Sequence, residues 1–243
     1  MASKWNLAQL KKYFDKIGVN YHAVMYRVKE VMIKTLISIE PHVYNATVRN
    51  TKHRNACFEL FGFDILLDSK LKPWLLEVNI SPSLSSSSPL DKKIKTVLIC
   101  DTLNLVGVTP YDRKSYDKEQ EQGTRKRLLG AAYSATKEET SHNSLLDEIK
   151  AQPQSQLARI FKQMPEVKED DDAQIVLDFE EEQFRLGNFE KIFPCINNVK
   201  HFAQFFEHAR GANALLQKYL SVISGKHFPH HVCLIPPTAD KVK

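Results

Sequence analysis

Cys57–Pro89 reads CFELFGFDILLDSKLKPWLLEVNISPSLSSSSP, two apolar runs separated by a short polar gap. The runs, Phe58–Leu67 and Trp74–Ile80, are rich in aromatic and branched residues, and Asp68, Ser69, Lys70 and Pro73 punctuate the gap. That pattern predicts an antiparallel hairpin. With Ser69–Lys72 as the connecting loop, Leu67 faces Trp74, Ile65 faces Leu76, Phe63 faces Val78 and Phe61 faces Ile80. Side chains alternate with a period of two, so those pairs share one face. The other face pairs Leu66 with Leu75, Asp64 with Glu77 and Gly62 with Asn79.

That second face sets two carboxylates opposite each other, with an amide beside them, inside otherwise apolar strands. Like charges directly opposite destabilise a sheet, and buried carboxylates are costly unless paired. A hard cation removes the conflict, because magnesium takes one or two carboxylates and completes its shell with water and phosphate oxygens. The other reading is a pair of exposed strand acids bridged to lysines.

Asp64 followed by Glu77-Val78-Asn79 resembles the metal-binding signature of the ATP-grasp ligases. The wording FELFGFDILLD…LKPWLLEVNISPSL is narrower and resembles the tubulin-tyrosine-ligase-like family, within it the polyglutamylase branch. The resemblance implies an α+β fold: the C-terminal part of an ATP-grasp ligase domain, an antiparallel sheet with flanking helices, followed by a mainly helical, partly disordered extension. It implies that Asp64, Glu77 and Asn79 hold Mg2+ bridging the phosphates of ATP. ATP then activates a glutamate γ-carboxylate as an acylphosphate, and the amino group of free glutamate attacks it to branch a tubulin tail. The implied partners are the acidic C-terminal tails of tubulin on microtubules and free glutamate, with no nucleic acid, no membrane and a monomeric state. The implied location is the cytoplasm and the microtubule cytoskeleton, including the cilium or basal body.

Other readings share these residues. Tubulin glycylation or tyrosination would use the same metal site, and a non-catalytic microtubule-binding remnant is the competing class. An intact triad favours ligase descent. The resemblance also leads one to expect a preceding lobe with the adenine pocket and phosphate-binding lysines, and no Gly-rich phosphate loop occurs in this sequence. The run Ile80-Ser81-Pro82-Ser83-Leu84-Ser85 carries serine where the polyglutamylases often carry a histidine, which bears on substrate choice.

Around the hairpin, Lys4–Ile17 spaces Trp5, Leu7, Leu10, Phe14 and Ile17 as a helix that Gly18 stops. Asn20–Ile39 predicts a second amphipathic helix, with Val24, Val28, Val31, Met32, Thr35, Leu36 and Ile39 on its apolar side and Pro41 beyond its end. Lys34 interrupts that side and is read as a rim lysine reaching solvent, or as a charge aimed at the site. The polar, basic segment Thr47–Asn55 follows. Arg49, Lys52 and Arg54 within it, together with Ser83, are candidate contacts for an acidic tail. Ser88 as N-cap, Pro89 and Asp91 open a helix to about Leu105, stopped by Gly107 and burying Leu90, Ile94, Val97, Leu98, Thr102 and Leu105.

Three segments are expected: 1–108 for the ligase part, 109–172 for a mixed-charge linker or microtubule-contact region, and 173–243 for a helical extension with a flexible tail. Arg113, Lys114, Lys118, Arg125, Lys126 and Arg127 carry the contact reading, with short helices at Glu119–Tyr133, Ser144–Ile149 and Gln156–Lys162. Asp172–Arg185 predicts a helix with Ile175, Leu177, Phe179 and Phe184 as its apolar residues and its glutamates outward. The segment through Phe189–Pro194 also resembles the polyglutamylase branch. His227, His230, His231 and Cys233 fit no strong metal template and are read as part of a flexible tail.

The net charge of +5 is uneven: residues 1–100 hold 15 Lys and Arg against 8 Asp and Glu, and the remainder holds 19 against 21. A basic first part suits an acidic partner, and equally a lysine-rich solvated surface. The four cysteines form no CxxC pair, which suits reduced thiols. No apolar run reaches transmembrane length, and Met1–Trp5 opens no signal core.

Overall fold

The computed structural model describes residues 4–51, 57–107, 145–151, 156–165, 167 and 169–224. Among them the elements are α1 (Leu7–Lys16), α2 (Tyr21–Asn50), β1 (Gly62–Leu67), β2 (Pro73–Asn79), α3 (Pro89–Val106), α4 (Leu145–Lys150), α5 (Gln156–Phe161), α6 (Asp170–Arg185), α7 (Val199–Ala203) and α8 (Gly211–Ile223). The fold is α+β: β1 and β2 form a two-stranded antiparallel sheet, and helices flank it. Among the described residues no helix is long and apolar enough to cross a membrane.

Local chemistry explains the helix starts. Asn6 and Gln9 form a reciprocal capping box on α1, with N···O distances of 2.8 and 2.9 Å. Asn20 accepts from the Ala23 N–H at the start of α2. Ser88 accepts from the Asp91 N–H, with Pro89 in the first turn of α3, as the sequence predicts.

The second helix departs from expectation. α2 passes straight through Pro41 to Asn50, 30 residues in all, although an interior proline removes a hydrogen bond and crowds the preceding turn. The reason lies far along the chain. Arg210 pairs with both carboxylate oxygens of Glu40, at 2.8 and 3.2 Å, and stacks 3.8 Å from the centroid of Tyr44. One planar guanidinium thereby braces the helix on both sides of the proline. The buried stripe is also narrower than expected, comprising Val24, Val28, Ile33 and Ile37, while Ile39 is exposed. Lys34 is exposed and stands 5.1 Å from the Phe205 ring, so its charge is turned toward the C-terminal helices.

The principal core is C-terminal. Leu146, Ile160, Phe161, Met164, Ala173, Val176, Phe179, Val199, Leu215, Tyr219, Leu220 and Ile223 form one buried cluster drawn from α4 to α8 and their connections. Asp170 caps α4 by accepting from the Leu145 and Leu146 N–H groups. A second cluster, Ile33, Ile37 and Phe202 with Ile192, Phe193 and Phe206 against it, joins α2 to this helical unit. The expected short helices near Ser144 and Gln156 are present as α4 and α5. The one at Glu119–Tyr133, the basic set Arg113 to Arg127 and the His227 to Cys233 group lie outside the described residues.

Two burial expectations are corrected. On α6, Phe179 is buried and Ile175 packs against the core as expected, but Phe184 is 87% exposed, and Ala173 and Val176 face the core. Glu180 is not outward but accepts the Tyr219 hydroxyl at 2.6 Å. On α3 only Thr102 is buried, while Ile94, Val97 and Leu103 are exposed. Against the expectation of reduced thiols, Cys195 is disulfide-bonded; Cys57 and Cys100 are free and exposed, as expected.

The core contains two groups with opposed pH behaviour. Lys191 lies 3.7 Å from the Phe179 centroid, and burial lowers its pKa to about 8 against the pull of Glu180 and Glu182. Tyr219 is pushed upward by burial, then by its bond to Glu180. A depressed lysine means the unfolded chain binds more protons from about pH 8 to about 10, so stability rises with pH there. A raised tyrosine holds its proton in the folded state, so its contribution is lost as pH climbs above about 10. Thermal melts between pH 7 and 11 are therefore expected to show the rise vanishing in Lys191→Met and the later fall vanishing in Tyr219→Phe.

Candidate metal and nucleotide site

The hairpin turn closes one residue sooner than its sequence suggests, with Asp68 facing Lys72 in place of Pro73. Asp68 donates its backbone N–H to the Lys72 carbonyl, and its carboxylate accepts from the N–H groups of Lys70 and Lys72. Leu71 takes a φ of 59° to complete the loop. The other carboxylate oxygen accepts the Trp74 indole N–H at 3.0 Å, and Lys72 lies 3.8 Å from the Trp74 centroid. Asp68 thus closes the turn and fixes the aromatic ring beside it. Its carboxyl lies below the usual range, chiefly through the Trp74 bond.

That tighter closure shifts the register on the turn side by one residue. Leu67 pairs with Pro73, Leu66 with Trp74 and Ile65 with Leu75, in place of the expected Trp74, Leu75 and Leu76. On the far side Asp64 pairs with Glu77, Phe63 with Val78 and Gly62 with Asn79, as the alternation predicts. The two registers meet at an irregularity between Asp64 and Ile65 that leaves Leu76 without an opposite residue. Such a bulge flips the parity of one strand and re-aims its side chains. Phe63, Ile65, Leu67, Pro73, Leu75 and Val78 therefore share one face. Asp64, Leu66, Trp74, Glu77 and Asn79 share the other, and all five are exposed.

The structure brings the three predicted metal residues together. Directly opposed residues in an antiparallel pair have Cβ atoms about 5 Å apart, and Asn79 donates its amide to Glu77 at 3.1 Å. Neither Asp64 nor Glu77 forms an ion pair among the described residues, so no described lysine relieves the opposition. Two carboxylates and an amide oxygen on one open face make an all-oxygen donor set, which fits a magnesium ion. Among the described residues no group of three or more His, Cys, Asp or Glu gathers as a metal cluster; here the third donor is an amide.

The serine loop behind the triad is tied down from α3. Ser83 and Ser85 share a hydroxyl hydrogen bond of 2.8 Å, and the Lys95 ammonium donates to the Ser85 carbonyl. Ser87 donates to Asp91 at 2.9 Å, and this bond leads the causes that hold the Asp91 carboxyl below its usual range. Of the candidate tail contacts, Ser83 is exposed in this loop and Arg49 is exposed in the last turn of α2. Lys52 and Arg54 lie outside the described residues.

One feature was not foreseen in the sequence. A groove of about 870 Å³ runs along the second half of α2, lined among others by Val43, Tyr44, Val48, Phe61, Pro194 and Phe206. It shares no lining residue with the carboxylate triad, and its polar contributors include the Glu40–Arg210 pair. The spacing of Val43, Tyr44 and Val48 would have signalled it had the helix been carried past Pro41.

Comparison with known proteins follows the same line. Residues 1–117 match the tubulin-tyrosine ligase family. Tubulin polyglutamylase ttll-4 of Caenorhabditis elegans is 38% identical over 225 residues, covering 89% of this chain and 35% of that protein. Tubulin monoglutamylase TTLL4 of Homo sapiens is 35% identical over 233 residues, with coverage of 89% and 18%. Tubulin polyglutamylase TTLL5 of Mus musculus is 31% identical over 224 residues, with coverage of 88% and 16%. The chain thus spans about a third or less of the length of these relatives.

The turn offers a direct check. With Trp5→Phe leaving Trp74 as the sole indole, Asp68→Ala is expected to red-shift its emission and to speed amide exchange at residues 70–72 by about tenfold. Because the folded carboxyl is depressed, the turn keeps its carboxylate bonds through the ordinary aspartate range of about 4, and the same loosening is expected in the unmutated turn only in stronger acid, where this carboxylate takes up its proton.

Proposed function

The chain belongs to the tubulin-tyrosine ligase family, and we propose that it supplies the magnesium–nucleotide end of an ATP-dependent tubulin polyglutamylase with an ATP-grasp site. The observation that carries this reading is the Asp64–Glu77 pair, opposed across the ladder with Asn79 alongside and without an ion-pair partner among the described residues. The reaction joins the amino group of free glutamate to a γ-carboxylate of a tubulin tail at the expense of ATP. Asp64, Glu77 and Asn79 would hold Mg2+, which would neutralise charge at the nucleotide phosphates.

This chain's own residues prepare that face. The ladder carries Asp64, Glu77 and Asn79 on the open face, the bulge adds Trp74 to that face, and Asp68 fixes the loop at the other end of the strands. The excess of basic residues in 1–100, with Arg49 exposed at the end of α2, suits an acidic tail as the acceptor. Relatives named as tubulin polyglutamylases and a monoglutamylase favour glutamate over glycine or tyrosine. Such a substrate would bring the protein to cytoplasmic and ciliary microtubules.

The test is calorimetry of Mg-ATP on this chain, paired with incorporation of labelled glutamate, glycine or tyrosine into tubulin. Nucleotide binding is expected to require magnesium and to weaken at least about tenfold in Asp64→Ala and in Glu77→Ala. Glutamate is expected to be the amino acid incorporated. Unchanged binding in both variants would reduce the pair to surface acids, and microtubule co-sedimentation without nucleotide binding would favour a docking module.

A further inference from the structure

Two helix ends close on each other reciprocally. α3 stops at Gly107, with φ 67°, and the chain leaves α6 through Gly187, with φ 56°. Each glycine is covered by a charged side chain of the other helix. A Cβ on Gly107 would lie 2.9 Å from the Arg185 guanidinium carbon, and one on Gly187 would lie 2.5 Å from a carboxylate oxygen of Asp101. Both positions need glycine twice over, for left-handed backbone and for close approach.

Four hydrogen bonds cross the junction. One oxygen of Asp101 accepts from the Asn188 backbone N–H at 3.0 Å and from its side-chain amide at 2.8 Å. The Asn104 amide donates to the Arg185 carbonyl at 3.1 Å, and the Arg185 Nε–H donates to the Leu105 carbonyl at 3.4 Å. The same Asn188 bonds hold the Asp101 carboxyl below its usual range.

This junction does more than tether. α3 buries Thr102 alone among its residues, so apolar packing does little to set its direction. An 18-residue helix is a rod of about 27 Å, and fixing one end aims the other. The other end carries Ser88, Asp91 and Lys95, the groups that hold the serine loop leading back to Asn79. We propose that Asp101 and Arg185 are positioning residues, through which the C-terminal helical core sets α3 and thereby the 80–88 loop behind the Asp64–Glu77–Asn79 face. The role goes beyond the ligase reading and is read out without catalysis, so the two fail separately.

The test is amide exchange by mass spectrometry on the full chain, comparing Asp101→Ala, Asp101→Asn, Asn188→Ala and the Asp101→Ala/Asn188→Ala double variant. Asp101→Ala is expected to speed exchange about tenfold in both 101–107 and 80–92, with α8 unchanged. Asn188→Ala, which spares the backbone bond, is expected to give about threefold, and the double variant no more than Asp101→Ala alone. Asp101→Asn, whose carbonyl oxygen still accepts both Asn188 bonds, is expected to stay within about twofold of the parent. Unchanged exchange at 80–92 alongside a rise at 101–107 would overturn the proposal, as would Asp101→Asn behaving like Asp101→Ala. Should Asp101→Ala loosen α8 as well, Asn188→Ala decides by the same comparison of 80–92 with 101–107.

Discussion

A two-stranded ribbon cannot bury either of its faces by itself, and such hairpins are marginal in water. That constraint orders the described structure. The half-buried face of β1 and β2, with Phe63, Ile65, Leu67 and Val78, depends on neighbours, and α2 packs against β2. α2 in turn is seated on the C-terminal helices through Ile33, Ile37 and Phe202, and is braced by Arg210 where Pro41 interrupts its bonding. Stability therefore flows from the cluster around Ile160, Val176, Tyr219 and Ile223 toward the hairpin.

Within that frame the opposed carboxylates become intelligible. Asp64 and Glu77 stand on the exposed face, where water screens their repulsion and each carboxylate stays solvated. Had the strands kept one register throughout, Trp74 would have shared the face of Ile65 and Leu67, and Leu75 that of the acids. The bulge places the indole on the acidic face instead, where Asp68 holds its N–H. The turn chemistry and the placement of Trp74 are thus one fact seen from two ends of the strand.

How much of this was legible follows from range. The pairs Asp64–Glu77, Phe63–Val78 and Gly62–Asn79 were readable because alternation is local and the acids stand out against apolar neighbours. The bulge was not, because it depends on Asp68 accepting two backbone N–H groups and on Leu71 entering the left-handed region, neither of which a leucine at that position advertises. The caps at Asn6 and Ser88 and the stop at Gly107 were local and readable. The course of α2 past Pro41 was not, since the residue that permits it lies at 210. Burial was read correctly at Thr102 and Phe179 but misassigned at other positions of α3 and α6 for the same reason: helical spacing gives a stripe but not what covers it. Phe184 and Ile94 carry the right periodicity and meet solvent.

The separation of roles has a physical logic. Groups that bind and release ligands are drawn from the less stable parts of a fold, because a face that is already saturated with partners has nothing to offer. Here the chemistry-bearing acids sit on the element with the least core of its own. Such a division works only if the weak element is aimed by the strong one. A flexible tether would leave Glu77 and Asn79 on a hairpin free to tilt, and tilt of about an ångström is enough to spoil ligand placement. The paired glycine ends of α3 and α6 answer that requirement. Their contacts are polar, directional and mutually exclusive of side chains, so they fix an orientation where apolar packing on α3 alone would permit sliding.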